Sequence, residues 1–317
     1  MRNPSPYLVF SILALGLLIA PAIGLYPIMM MKLMCFALFA CAFNLLIGFT
    51  GLLSFGHAMF LGTAGYAAGH AMKVWGFEPA TGLLLGTSAS ALLGLIVGSL
   101  AIRRQGIYFA MITLALSQMV FFVLLQAPFT GGEDGLQGIP RGILLGFIDL
   151  SDDLVLYFFV VAIFLAGYGA IYRIVNSPYG QILKAIRENE PRAISLGYDA
   201  NRYKLLAFVL SAALSGLAGS MKALVLGFAT LSDAYWHTSG EVVLMTLLGG
   251  MGTLLGPVVG AATIISIQNG LSDKVGSWVT VIMGVTFVAC VILFRKGIVG
   301  EVADWLRRKN VPARASH

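Results

Sequence analysis

The chain has 317 residues, of which 58% are hydrophobic and only 11% charged, with a mean hydropathy of +0.89. A water-soluble domain carries about 25% charged residues, so this composition excludes a soluble fold and makes lipid the packing solvent. The formal charge of +6 does not point to nucleic acid, because the basic residues follow the loops rather than forming a patch.

Apolar runs are read in chain order at about 7–31, 33–53, 55–72, 82–101, 106–126, 154–174, 205–226, 242–270 and 278–294. A membrane span needs about 20 such residues. The first run is too long for a signal-peptide core and lacks a small-residue cleavage site, so it is expected to be a retained span. The runs at 55–72 and 242–270 are short or broken by glycine and proline. Cys35, Cys41 and Cys290 lie inside apolar runs without metal-ligand spacing, as ordinary buried thiols do. The expected fold is all-α: one polytopic transmembrane helical bundle over 1–317, of about eight to ten spans, some short or re-entrant.

Basic residues orient such a bundle. Arg2 stands at the start, Arg103 and Arg104 lie between two runs, and Arg173, Lys184, Arg187, Arg192, Arg202 and Lys204 crowd one segment. More follow Phe294. The loop 127–153 instead carries Glu133, Asp134, Asp149, Asp152 and Asp153 against Arg141 alone. Both termini, Arg103–Arg104 and 173–204, which includes the segment 177–204, are therefore expected on the cytoplasmic side, and 127–153 outside. This parity requires 242–270 to cross twice, or to dip and return, with its break near Gly249–Gly252. Lys222 is expected to snorkel toward the outer interface. The outer acids, Asp233 included, are candidates for pairing with an external protein or simply keep the loops solvated.

A spacing LLxGxxxLL occurs at 45–53 and again at 247–255. Paired glycine-interrupted segments point to a transporter's central pathway, because half-helix N-termini offer partial positive charge to an anionic solute group. Asn44, Gly48, Gly56, His57, Gly249, Gly250, Gly252 and Gly256 are the pathway candidates, expected near mid-membrane. Close glycine packing and a hydrogen-bonded structural histidine are the alternatives.

The stretch 177–204, SPYGQILKAIRENEPRAISLGYDANRYK, is a charged island in an apolar chain. Ser177 suits an N-cap and Pro178 the first helical position. Ile182, Leu183 and Ile186 fall on one helical face. Pro191 starts a second short helix, Gly197 stops it, and Asp199 caps the next span. Two amphipathic helices are thus expected at the cytoplasmic surface.

The run GQILKAIRENEPRAISLGYD (180–199) resembles the cytoplasmic coupling segment of the LivM-type branched-chain amino acid permeases. LLGGMGTLLGPVVGA (247–261), NLLIGFTGLLSFGHAMFLGTAGYAAG (44–69) and TGGEDGLQGI (130–139) are similar to further signatures of that family. The resemblance implies a permease subunit of an ATP-binding-cassette importer, with an architecture like that of the vitamin-type importers. Its implied partners are a LivH-like permease, two cytoplasmic ATP-binding subunits, an external solute-binding protein and membrane lipid, in a bacterial plasma (inner) membrane. ATP would be bound by the partner subunits, since this sequence has no Gly-Lys dipeptide and hence no phosphate-cradling P-loop. No cofactor, metal or catalytic constellation is expected here. The implied ATPase-coupling residues are Gly180, Ile182, Leu183, Lys184, Ile186, Arg187, Glu188 and Glu190, the apolar ones filling a groove on the ATPase. Permeases for urea, amides or other small polar solutes carry similar runs. An ion-coupled carrier is disfavoured because the acids lie at loops and span edges, and no constellation supports a membrane enzyme.

Overall fold

The computed structural model describes residues 6–275, apart from Leu25 and Leu145, together with scattered positions between 281 and 301. The helices follow in chain order as α1 (Pro6–Ile19), α2 (Pro27–Thr50), α3 (His57–Lys73), α4 (Pro79–Ala101), α5 (Ile107–Gln126), α6 (Asp153–Asn176), α7 (Pro178–Glu188), α8 (Glu190–Ser195), α9 (Ala200–Leu226), α10 (Trp236–Gly249) and α11 (Gly256–Val275). Four two-residue strands join loops: β1 (Leu136–Gln137) pairs antiparallel with β4 (Phe228–Ala229), and β2 (Ile143–Leu144) with β3 (Ile148–Asp149). The protein is an all-α polytopic membrane protein. Among the described residues α2, α4, α5, α6 and α9 are each long and apolar enough to cross a bilayer.

The expected single span over 7–31 is corrected. The chain breaks after α1, where a 3₁₀ turn containing Pro21 ends on Gly24 at φ 84°. Pro27 then opens α2 as its first residue, a position where its missing N–H costs nothing. The break near Gly249–Gly252 stands where the sequence places it, between α10 and α11. The run 278–294 and Cys290 lie largely outside the described residues, whereas Cys35 and Cys41 are buried thiols.

α2 buries 89% of its apolar window, against 33% for α4 and 28% for α5, so α2 is a core helix and α4 and α5 are peripheral. Their outer faces carry Leu84, Leu92, Leu95, Leu100, Met111, Phe122 and Val123 exposed, a surface suited to lipid chains. α9 packs on α2, α3 and α4, while α6, α10 and α11 pack on α2. Lipid gives helices no hydrophobic reason to associate, so close packing and interhelical hydrogen bonds hold them. The Ser211 hydroxyl on α9 donates to the Ala42 carbonyl of α2 at 2.6 Å, and the Ser90 hydroxyl of α4 donates to the Ala212 carbonyl of α9 at 2.7 Å.

The bundle has two distinct ends. α6, with 24 residues, spans about 36 Å at the helical rise and separates the loop 127–152 from the island 177–199. Lys73 Nζ donates to the Gln137 carbonyl at 2.7 Å and the Ile139 N–H to the Gly227 carbonyl at 2.8 Å, gathering the loop end. Single cysteines replacing Phe147 and Leu196, 80% and 70% exposed, are predicted to label from opposite sides of sealed vesicles. Labelling of both from one side would overturn this arrangement.

Candidate functional site

The island folds as its sequence signals dictate. Ser177 accepts a bond from the Gly180 N–H at 3.3 Å and Pro178 opens α7. The Asn189 side chain accepts from the Arg192 N–H at 3.1 Å and caps α8, whose first turn holds Pro191. Gly197 takes φ 90°, and Asp199 accepts from the Arg202 N–H at 3.3 Å to cap α9. The Asn189 cap is one residue that sequence reasoning missed, although an Asn just before Glu-Pro is a legible helix start.

The apolar face of α7 turns inward, which corrects the expectation that it fills a groove on another protein. Leu183 and Ile186 are buried, and Ile186 clusters with Ala193 and Ala200, with Ile182 and Tyr203 alongside. Gly180 lies against the Ile174 and Val175 carbonyls, where a side chain has no room. Tyr179 stacks on Tyr203 at 5.7 Å and its hydroxyl donates to the Tyr203 carbonyl at 2.9 Å. Burial, and then Tyr203, pushes the Tyr179 phenol above its ordinary range. Glu190 is likewise used within the chain, paired with Lys204 Nζ at 2.6 Å. Lys184 sits 5.7 Å from the Phe49 ring centroid.

What α7 and α8 leave outside is Glu188, Arg187 and Arg192, and an apolar trio of Ile194, Leu196 and Tyr198. That trio escaped sequence reasoning because it lies at a helix stop, where no periodicity marks a face.

The two LLxGxxxLL stretches meet. Asn44 is 2% exposed. Its Oδ1 accepts from the Gly252 N–H at 2.9 Å and its Nδ2 donates to the Thr253 carbonyl at 2.8 Å, so one amide reads the α10–α11 turn as a strand would. The backbones cross because Gly48 has no side chain: a Cβ there would stand 2.7 Å from the Gly252 nitrogen. Gly252 itself has φ 73°, a left-handed value suited to glycine. Gly249 and Gly256 bring the two arms of the hairpin into backbone contact, next to Gly250. Onto this crossing α7 lays one side chain, for the Arg187 guanidinium donates to the Gly48 carbonyl.

The crossing therefore sits at the island end, under α7, and not at mid-bundle as expected. Its helix N-termini are satisfied internally. Ser54 Oγ accepts from the Gly56 N–H at 3.2 Å, Ser239 Oγ from the Ala58 N–H at 2.9 Å, and Thr253 Oγ1 from the Gly256 N–H at 3.0 Å. His57 is fully buried, its Nε2 2.9 Å from Ser211 Oγ, with Phe43, Phe60 and Phe208 edge-on around the ring. This is the geometry of a packed, hydrogen-bonded histidine.

At the loop end most acids have partners inside the chain. Asp153 pairs with Arg141 at 2.6 Å, and Asp152 caps α6 by accepting from the Leu154 N–H at 2.9 Å. The Ser151 N–H, and then its hydroxyl, hold the Asp149 carboxyl below the usual carboxylate range. Glu133 and Asp134 stay exposed. The expected snorkelling of Lys222 is corrected: it is 9% exposed and pairs with Asp233.

Comparison with known proteins places this architecture. The chain is 27% identical to the high-affinity branched-chain amino acid transport system permease protein LivM of Escherichia coli K12, over 89% of this chain and 71% of the relative. It is 32% identical to the autoinducer 2 import system permease protein LsrC of Klebsiella pneumoniae, over 59% of this chain and 53% of that protein. It is 26% identical to the ribose import permease protein RbsC of Bacillus subtilis, over 71% of each. No solved structure matches it significantly. Residues 25–291 match the family described as branched-chain amino acid transport system / permease component, and with that match over most of its length the chain belongs to this family of ATP-binding-cassette permeases, as a non-catalytic membrane subunit.

Proposed function

We propose that this permease imports branched-chain amino acids in a bacterial plasma membrane, with its island end and both termini in the cytoplasm. It works with a LivH-like permease, two ATPases that bind ATP at its cytoplasmic face, and an external binding protein. The observation that carries the reading is the reach of Arg187. One side chain on the surface helix touches the backbone crossing of α2 with the α10–α11 hairpin, so a push on α7 is a push on the core of the bundle. The ATPases dock on Glu188, Arg192, Ile194, Leu196 and Tyr198, while Gly180, Ile182, Leu183, Ile186, Lys184 and Glu190 transmit the load inward. The basic residues concentrated on the island support its cytoplasmic side.

The test is an Ile194→Glu, Leu196→Glu variant. Both side chains are more than half exposed, so folding should be spared. Co-purification of the ATPases is expected to fall at least about tenfold, the scale of losing a desolvated apolar contact, with uptake falling in step. Full ATPase binding by this variant would remove the docking role from α8. A second reading, import of a neutral sugar, is favoured by the likeness to RbsC. Labelled leucine and ribose offered to the reconstituted importer separate the two.

A further inference from the structure

At the loop end, three helices bring ionisable groups into the bundle and a fourth brings two amides. Lys32 lies in the second turn of α2, Lys222 near the end of α9, His237 and Glu241 in the first turns of α10, and Gln268 and Asn269 toward the end of α11. Asp233, in the 3₁₀ turn before α10, pairs closely with Lys222, and both side chains are largely buried. Lys222 also stands 5.3 Å from the Phe36 ring centroid. That pair is complete in itself.

Among the described residues Lys32 and Glu241 are not closed in that way. They are near enough to feel one another's charge, and those of Lys222 and Asp233, yet they are not joined. Two consecutive amides of α11 hold them instead. Gln268 Nε2 donates to Glu241 Oε1 at 2.9 Å, and Asn269 Oδ1 accepts from Lys32 Nζ at 3.4 Å. The only other ionisable contact of Glu241 among the described residues is His237 Nδ1 at 3.8 Å. Close to Asp233 the Tyr66 hydroxyl, on a side chain 1% exposed, has no hydrogen-bond partner among the described residues. Charge inside a bilayer is expensive and needs a partner. Among the described residues this cation and this anion each rest on a neutral amide of α11, and neither has a close ion-pair partner.

We propose that Lys32 and Glu241 form a binding site for the charged end of a zwitterionic α-amino acid, Lys32 taking its carboxylate and Glu241 its ammonium, at the end of the bundle opposite the coupling helices. One ligand offers an opposite charge to each and makes two charge-assisted bonds. A neutral sugar supplies neither, so the site selects the amino-acid reading over the sugar reading. The inference rests on this chain being an importer, and its test keeps the two apart.

The reconstituted importer is assayed for leucine uptake with Lys32→Met, Glu241→Gln and the charge-keeping Lys32→Arg and Glu241→Asp. ATPase association and basal ATP hydrolysis are followed in each. Wild type is expected to move leucine. Lys32→Met and Glu241→Gln should each cut uptake about tenfold or more, the effect of losing one hydrogen bond to a charged group, with assembly and basal hydrolysis kept. Lys32→Arg and Glu241→Asp should recover most of it. Wild-type rates in both neutral variants overturn the site, and so does Lys32→Arg being as damaging as Lys32→Met, which assigns the loss to packing. If a neutral variant fails to assemble, Gln268→Leu and Asn269→Leu leave both charges in place. Leucine uptake with an unchanged half-saturating concentration in those two overturns the site as well. A wild-type complex that carries ribose and no zwitterion overturns the amino-acid reading itself, and the site with it.

Discussion

Gly252→Leu is expected to abolish most uptake, whereas Gly16→Leu leaves it near wild type. The two positions differ in what a side chain meets. Gly16, on α1, has open space around its Cα, while a Cβ at Gly252 stands 3.3 Å from the Gly48 carbonyl oxygen and 3.4 Å from the Arg187 guanidinium. Leucine needs several carbons beyond that Cβ, so it pushes directly on the bond by which α7 holds α2. The backbone adds to the cost, since φ is 73° and an L-residue pays about 1–2 kcal/mol to stand in that region. The relaxed structure separates the crossing, strains the Asn44 bonds to residues 252 and 253, and releases Arg187. Uptake should fall about tenfold or more, and ATPase co-purification should persist because α8 is untouched. Normal transport by Gly252→Leu would mean that the crossing neither shapes the path nor carries force. Loss of the ATPases together with transport would mean that the crossing is only a fold element.

Much of the island was legible in the sequence, and the crossing beneath it shows where one-dimensional reading stops. Ser177, Pro178, Pro191, Gly197 and Asp199 each act through a bond or dihedral within a few residues, so the chain alone reveals them. The echo at 45–53 and 247–255 is also visible. That the two copies touch is a tertiary fact, set by Asn44 reading a turn 208 residues away. Depth is harder still. Glycines that interrupt apolar runs fit mid-membrane or the membrane edge equally well, and only the contact with α7 places them at the edge. For α7 the periodicity of Ile182, Leu183 and Ile186 shows a buried face without showing what buries it. The charges mislead for the same reason. Lys222 and Asp233, and Lys32 and Glu241, look like span-edge residues in sequence, and become a cluster only when α2, α9, α10 and α11 converge.

Glu190→Gln is expected to loosen the island from the bundle, and the double variant Glu190→Leu, Lys204→Leu to restore it. Glu190 begins α8 and Lys204 lies in the second turn of α9, with side chains 18% and 4% exposed and 2.6 Å between Nζ and Oε2. Lys204 is therefore a cation held out of water with one carboxylate for company. Removing one partner of a buried pair leaves the other uncompensated and costs about 3–5 kcal/mol, whereas replacing both with apolar residues is often neutral. The cost here falls on a small unit. α8 has six residues, too short to persist unless it is packed, so it should fray before the spans do. Hydrogen exchange at residues 190–198 is expected to quicken by two orders of magnitude or more in Glu190→Gln, on the scale of that cost, with α2 and α9 cores unchanged. ATPase docking should weaken in parallel, because Ile194, Leu196 and Tyr198 lose the frame that presents them. In the Leu–Leu variant protection should return, and docking with it, as neither residue is itself part of the exposed surface. If protection returns and docking does not, the Glu190 charge is read directly by the ATPase. If Glu190→Gln leaves exchange unchanged, α8 is held by Ile186, Ala193 and Ala200 alone, and the ion pair is dispensable to the coupling surface.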